Sequence, residues 1–428
     1  MHTSDPHHLP YIAAFPQALG TGIIVTCSQR ISGELRQRMA SLIEDFEAAF
    51  SRFRTDSLVG RIAAVEQGGT FVFPDGLGAE ALFALYDLLF AASNGTVDPL
   101  VGEELTKLGY GADMAYRMRT GGKPANGTVT PANDIINNSG SNEVDFNKPP
   151  TEGHDGRKTS ASDLRNRPTW GDVVSHDGPA LTVTQPIRLD FGAAGKGMMV
   201  DLLANLLAEE LPDATYIVDA GGDLRVHESA DARDSQAGSA TEPLNIAMED
   251  PADTTQAIGT IAATDGSLCA SAPSRRHWQV RSGDALREVH HLLNALDGQP
   301  ADDVKATWVF VPAPTSAATA SRGDAARIAV SGGTGSAGDT GNSDMNDSTP
   351  ASDDAPTQKY EWTAFDIARR YPTALADGLA TALFVANAGT LAEAFAAPDG
   401  TPLFQCALID ADCNAAASPA FPGRFFTA

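Results

Sequence analysis

The chain has 428 residues, 42% of them hydrophobic, and carries 30 Lys and Arg against 55 Asp and Glu, a formal charge of −25. That length supports one large domain or two ordinary ones with a core that needs no disulfide staples, and the cysteines Cys27, Cys269, Cys406 and Cys413 form no CxxC pair and no zinc-like cluster. An acidic balance of this size repels a nucleic-acid backbone and an anionic membrane surface alike, which excludes nucleic acid as a partner class.

The first residues, MHTSDPHHLPYIAAFPQALG, lack a basic segment followed by an apolar one, and have no small-residue run ending in Cys. No stretch approaches the roughly 20 apolar residues of a spanning helix, so no membrane insertion is expected and the location is read as cytoplasmic. Leu35, Met39, Leu42, Ile43, Phe46 and Phe50 recur at helical spacing, as do Leu82, Phe83, Leu85, Tyr86, Leu89 and Phe90. Residues 114–167 are rich in Gly, Ser, Asn, Asp, Thr and Pro and cannot bury enough apolar surface to offset the entropy of ordering them. A third helix is expected over 198–207, followed by a strand, YIVDA, at 216–220. Further strands are expected at 244–248, 287–293, 306–311 and 404–410 from their apolar and β-branched content. A second insertion-like tract covers 315–358. Removing both tracts, 54 and 44 residues, leaves 330 residues of globular pattern. Helices and strands mix without a strict βαβ repeat and without internal repeats, so the reading is a single α+β domain spanning 1–428 with two flexible insertions.

Four segments can carry chemistry. In LDFGAAGKGMMVD, residues 189–201, a strand is expected to run through Gly192, Ala193, Ala194 and Gly195 into a helix. Small residues allow close backbone approach, helix N–H groups attract phosphate, and Lys196 adds a cation. A Walker A loop is excluded, because Asp190 and Gly197 stand where that motif needs Gly and Ser or Thr. The alternative is a plain turn with a solvated lysine. YIVDAGGDLRV, 216–226, is a strand ending in Gly221-Gly222-Asp223 whose second half bends back, readable as a bare hairpin. VHHLLNALDGQP, 289–300, sends His290 and His291 to opposite faces if it is a strand. Either histidine could be structural, but a histidine facing a site is a natural proton carrier near its unperturbed pKa of roughly 6.5. Finally, Asp377 and Thr381 in YPTALADGLATALFVAN lie four apart on one helix face, a hard-oxygen pair suited to Mg²⁺, or else a helix-terminal Asp with a core-facing Thr.

Taken in order these segments resemble the FAD:protein FMN transferase, or ApbE, family, over nearly the whole chain outside the two tracts. LGTG at 19–22 is similar to the family's MGT segment, FSRFRTDSLVGRI to its FSRF-x-x-x-S signature, and VDPLVGEELTKLGYG to its D-P-x-V-G-x-L stretch ending in G-x-G. LDFGAAGKGMMVD matches D-x-G-x-x-x-K-G-x-x-x-D, DAGGD resembles N-x-G-G-D, HHLLNALDGQP resembles H-H-I-x-D-P-x-T-G-x-P, and ADGLATALFV matches A-D-x-x-A-T-A-x-F-V. The chain departs from the family at Cys269-Ala270-Ser271-Ala272, where A-T-S-G is usual, and at Asp219, Asn294, Ala295 and Asp297.

The resemblance implies that Asp377, Thr381 and the carbonyl of Ala193 hold Mg²⁺. It implies that Leu19, Ser51, Arg52, Phe53, Asp98, Lys196 and Ser271 line the FAD site. His291 is the candidate to take a proton from, or position, a Thr or Ser hydroxyl of an acceptor flavoprotein. The implied reaction attaches FMN to that hydroxyl through a phosphoester and releases AMP. Two alternatives stand beside it: an FAD pyrophosphatase in which water replaces the acceptor, and a flavin-binding protein without catalysis.

Overall fold

The computed structural model describes residues 9–111, 167–229, 243–263, 265–282, 285–313 and 361–426. Its centre is an eight-stranded antiparallel sheet. The strand order is Tyr11–Phe15, Ile23–Cys27, Tyr216–Asp219, Leu224–His227, Gly266–Ser271, Val304–Pro312, Gln405–Asp410 and Ala415–Ala417. Side-chain alternation gives this sheet two apolar faces. Along Val304–Pro312, Val309 and Val311 enter the core beneath the helices, while Trp308 and Phe310 enter a second core on the other face. Met248, Ile261 and Ala263 of a three-stranded sheet, Leu244–Glu249, Ala257–Ala263 and Gly423–Phe425, close that second core. Helices, sheet and smaller sheet together form an α+β arrangement.

The helices follow the sequence periodicity. Gly33–Phe50 begins where the Ser32 hydroxyl accepts from the Leu35 N–H at 3.0 Å, and it buries Leu35, Met39, Ile43, Phe46 and Phe50. Ala79–Ala92 buries Leu82, Phe83, Leu85, Tyr86 and Leu89. Among the described residues no helix is long and apolar enough to cross a membrane.

Two helices position the site. Gly195–Glu210 carries Lys196 near its start, and Pro372–Ala382 carries Asp377 at its middle. They meet backbone to backbone: a Cβ at Gly197 would lie 2.3 Å from the Thr373 carbonyl oxygen. Asp201, one turn beyond Gly197, accepts from the Thr373 N–H at 2.9 and 3.1 Å and from the Ala374 N–H at 2.8 Å. The carboxylate of one helix thus satisfies the open N-terminal donors of the other, and Pro372 at its first position has no N–H to satisfy.

Three expectations are corrected. Leu189–Phe191 is not a strand but an unpaired stretch, tied by the Asp190 N–H to the Pro99 carbonyl at 2.7 Å. The strand expected over 287–293 ends at His290, so simple alternation does not govern His291. Arg167, counted with the first insertion, donates to the carbonyls of Ala295 at 2.6 Å and Leu100 at 3.0 Å and pairs with Glu104. The remainder of that tract, and all of 315–358, lies outside the described residues.

Asp201→Ala leaves two buried N–H groups without an acceptor. It is expected to cost about 1–3 kcal/mol for each of them in a denaturant melt. A melt matching that of the native chain would show that Asp201 does not tie the two helices.

Candidate functional site

The residues GAAG, 192–195, turn the chain into the lysine-bearing helix, and this turn rests on the aspartate-bearing helix, where a Cβ on Gly378 would lie 3.6 Å from Ala194 Cβ. Lys196 Nζ then lies between two carboxylates, 3.0 Å from Asp377 Oδ1 and 3.0 Å from Asp223 Oδ2. Asp377 also accepts from the Gly197 N–H at 3.0 Å. Asp223 comes from the tip of the hairpin formed by Tyr216–Asp219 and Leu224–His227, whose positive φ values at Gly221 (70°) and Gly222 (109°) need glycine. Asp377 and Asp223 are 1% and 2% exposed.

The electrostatics follow from that burial. Burial pulls the Lys196 ammonium down, but Asp223 and Asp377 outweigh it and hold it well above its ordinary value. Burial, then Asp223, pushes Asp377 up to about 7, against the lowering effect of Lys196 and the Gly197 N–H. When both carboxylates are ionised, two against one ammonium leave one uncompensated negative charge, and Asp223 Oδ1 is buried without a hydrogen-bond partner. A buried, unpaired anionic oxygen is costly unless something cationic meets it. The available donors are hard oxygens, which fit Mg²⁺. Among the described residues no group of three or more His, Cys, Asp or Glu side chains forms a metal cluster. Thr381 is half-buried one helical turn after Asp377, and Ala193 is half-buried in the turn.

A second cluster adjoins the first through Asp190. Its carboxylate accepts from the Gly192 N–H at 2.6 Å and from Arg52 Nε. The Arg52 guanidinium also donates to the Tyr110 carbonyl at 2.6 Å and lies 4.2 and 4.6 Å from the ring centroids of Phe53 and Tyr110. Its remaining NH2 group is buried without a partner. Trp278 stacks on Tyr110 at 5.5 Å, and His291 meets Tyr110 edge-on at 6.4 Å. The His291 Nδ1–H donates to the Arg276 carbonyl at 3.4 Å, which leaves Nε2 as the acceptor nitrogen. Burial first, then the charge of Arg276, lowers His291 to about 3, and the Lys196 charge acts in the same direction. A histidine titrating near 6.5, as expected from the sequence, is therefore replaced by one that stays neutral far into acid. His290 is structural: it is buried, pairs with Asp302 at 3.2 Å, and accepts from the Leu292 N–H at 3.2 Å.

The other expected site residues separate into two groups. Leu19, at φ 52°, donates its N–H to Glu47 Oε1 at 2.9 Å, and the following Thr21 packs on the Gly221 turn, so this loop borders the Asp223 hairpin. Ser51 ends the first long helix, its carbonyl accepting from the Ser57 hydroxyl at 2.6 Å. Ser271 ends the strand that carries Cys269, whose Sγ lies 3.5 Å from the Thr373 carbonyl. Asp98 stands apart. Its two oxygens accept from the Leu100 N–H at 2.7 Å and the Trp170 N–H at 3.0 Å, so it caps two short helical segments. Sequence reasoning missed Asp223, Asp190 and Tyr110 as site residues, although each lies inside a segment it had matched.

No curated protein matches the chain by sequence. Solved structures similar to it include the ApbE protein of Thermotoga maritima, at 16% identity with a TM-score of 0.58, covering 96% of this chain and 97% of that one. The flavin transferase ApbE of Vibrio cholerae is similar at 16% identity with a TM-score of 0.56 and the same coverage. The flavinyl transferase ApbE of Pseudomonas stutzeri shows 19% identity, a TM-score of 0.54, and 96% and 95% coverage. The family model described as the ApbE family matches residues 19–326, well over half of the chain, and the chain belongs to that family.

Proposed function

We propose that the chain is a Mg²⁺-dependent transferase that moves FMN from FAD to a Thr or Ser hydroxyl of an acceptor flavoprotein, releasing AMP. The observation that carries this reading is the Asp223–Lys196–Asp377 cluster, with its surplus negative charge, set against the glycine-rich turn. Asp377, the Thr381 hydroxyl and the Ala193 carbonyl would hold the ion, which when bound neutralises charge on the pyrophosphate. In a chain of net charge −25 an anionic substrate needs local donors, and the unpartnered Arg52 NH2 group provides one.

His291 receives the proton. The acceptor oxygen forms its bond to the FMN phosphorus, the bond from that phosphorus to the AMP oxygen breaks, and the hydroxyl proton passes to the unprotonated His291 Nε2. The Nδ1–H bond to Arg276 keeps that nitrogen aimed as an acceptor. A proton acceptor lowered by burial is weak in the unliganded chain. An anionic phosphate bound beside it would raise its value.

Intact-mass spectrometry of an acceptor incubated with the chain, FAD and Mg²⁺ tests the reading. An FMN adduct with stoichiometric AMP is expected. Free FMN with AMP and no adduct would instead mark a pyrophosphatase, and unconsumed FAD would overturn both.

Asp377→Asn removes the carboxylate offered to the metal but leaves Lys196 its pairing with Asp223, so the variant is expected to fold and to lose turnover. Turnover at the native rate would remove Asp377 from the site.

His291→Ala is expected to slow transfer by roughly 10²- to 10⁴-fold, whereas His290→Ala, which breaks the Asp302 and Leu292 contacts, lowers the melting temperature. A reversed pattern would exchange the two roles.

The pH profile separates the two titrations. Asp377 must lose its proton to bind metal, so apparent Mg²⁺ affinity falls as pH falls through about 7. With Mg²⁺ saturating, protonation of His291 alone predicts no loss of kcat/KM between pH 8 and 5, since kcat/KM reports the free chain, where its value is about 3. An acid limb near pH 6.5 that disappears in His291→Ala would contradict this.

A further inference from the structure

The Asp223 carboxylate has no place in the metal-holding set above, yet it is as deeply buried as Asp377 and shares the same ammonium. Lys196 Nζ lies 3.0 Å from Asp377 Oδ1, 3.2 Å from Asp377 Oδ2 and 3.0 Å from Asp223 Oδ2. In this arrangement the ammonium occupies lone pairs of Asp377 that a cation would need. If Asp223 were absent, Lys196 would have Asp377 as its only carboxylate partner, and a metal would have to break that pair outright. With Asp223 present, the ammonium can leave Asp377 and remain paired.

We propose that Asp223 is a positioning residue that acts through Lys196: it keeps the ammonium paired when Asp377 turns to a divalent cation. This rests on the assignment of Asp377 as a metal ligand. Geometry favours it over a direct bond to metal. Asp223 reaches Lys196 from the hairpin tip, whereas the other proposed ligands, Ala193 and Asp377, come from the opposed turn and helix that meet at Gly378. The hairpin is itself fixed, since the Gly222 N–H donates to Asp219 Oδ1 at 3.0 Å and a Cβ at Gly221 would come within 3.0 Å of Thr21 Cβ. A carboxylate on so constrained a turn holds its place while the flexible lysine moves. Its unpartnered Oδ1 leaves room for a second ammonium hydrogen bond once Asp377 is released.

The test is calorimetric titration of MgCl₂ into the full chain, without flavin, for the native protein and for Asp223→Asn. The asparagine keeps the shape and removes the charge. Binding to the variant is expected to be about 10- to 100-fold weaker, the usual loss when a residue supporting a metal ligand is changed. Equal affinity in the two proteins overturns the inference and leaves the metal assignment standing. Absence of binding to the native chain removes both. A crystal structure of the native chain with Mg²⁺ decides independently of whether the variant folds. Lys196 Nζ is expected within hydrogen-bond distance of Asp223 and away from Asp377 Oδ1. Mg²⁺ bonded to an Asp223 oxygen, or Lys196 kept on Asp377 and off Asp223, overturns it.

Discussion

One half-buried ammonium organises this molecule. Lys196 is charged in an interior where desolvation opposes charge, and two carboxylates reverse the outcome. Ion pairs in such surroundings repay their desolvation only when geometry is close and the remaining polar atoms are satisfied. The fold supplies that geometry from three separate elements: a helix start, a helix middle and a hairpin tip. Their placement rests on a few backbone contacts in which side chains would not fit. Gly197 lets one helix touch the other at Thr373, and Gly378 lets Leu89 and the Ala194 turn both lie against Asp377's own helix. Asp201 then locks the register of the pair through Thr373 and Ala374. Gly197, Gly378, Thr373, Ala374 and Asp201 all lie within five residues of a cluster member, so packing and charge pairing are parts of one constraint.

The Arg52 cluster repeats the principle with different chemistry. Its guanidinium is paired with Asp190 and enclosed by Phe53 and Tyr110, whose faces attract a cation that has lost its water. A planar guanidinium suits this better than an ammonium could, because it stacks and donates along fixed directions at once. Since Asp190 also holds the Gly192 N–H, the orientation of the turn that carries Ala193 depends on Arg52. The two clusters are mechanically joined through the five residues of chain between Asp190 and Lys196.

Much of this was legible in sequence, and the pattern of success has physical causes. Long helices with Leu35, Met39, Ile43, Phe46 and Phe50 on one stripe were readable because burial imposes their period. The hairpin at Gly221-Gly222 was readable because positive φ demands glycine. Asp223 was not, since nothing local separates a turn aspartate from a ligand-side one, and its partner Lys196 arrives through tertiary contact. Asp98 is held at both oxygens by N–H groups, one of them from Trp170, 72 positions away, a contact that no local window shows. His291 was placed on a strand that stops one residue earlier, and its depressed titration comes from burial and Arg276, neither visible in a local window.

The departure at residues 269–272 can now be located. Gly266–Ser271 pairs with Val304–Pro312, and alternation puts Cys269 on the helix-covered face, fully buried, while Leu268 belongs to the core on the other side. Ala270, where the family usually carries threonine, therefore points with Leu268 away from Lys196 and Asp377, and it is exposed. The missing hydroxyl leaves no buried polar atom behind. Cys269, where alanine is usual, fills space beneath the aspartate-bearing helix as a small apolar group. Burial, with Asp223 next, pushes its thiol well up, so it remains protonated and unreactive. Ser271, on the same face as Cys269, keeps the one hydroxyl of this strand end that alternation directs toward the helices. The altered loop thus removes a hydroxyl from the side of the strand turned away from the Lys196 cluster, and on the side turned toward it exchanges alanine for Cys269 while keeping Ser271.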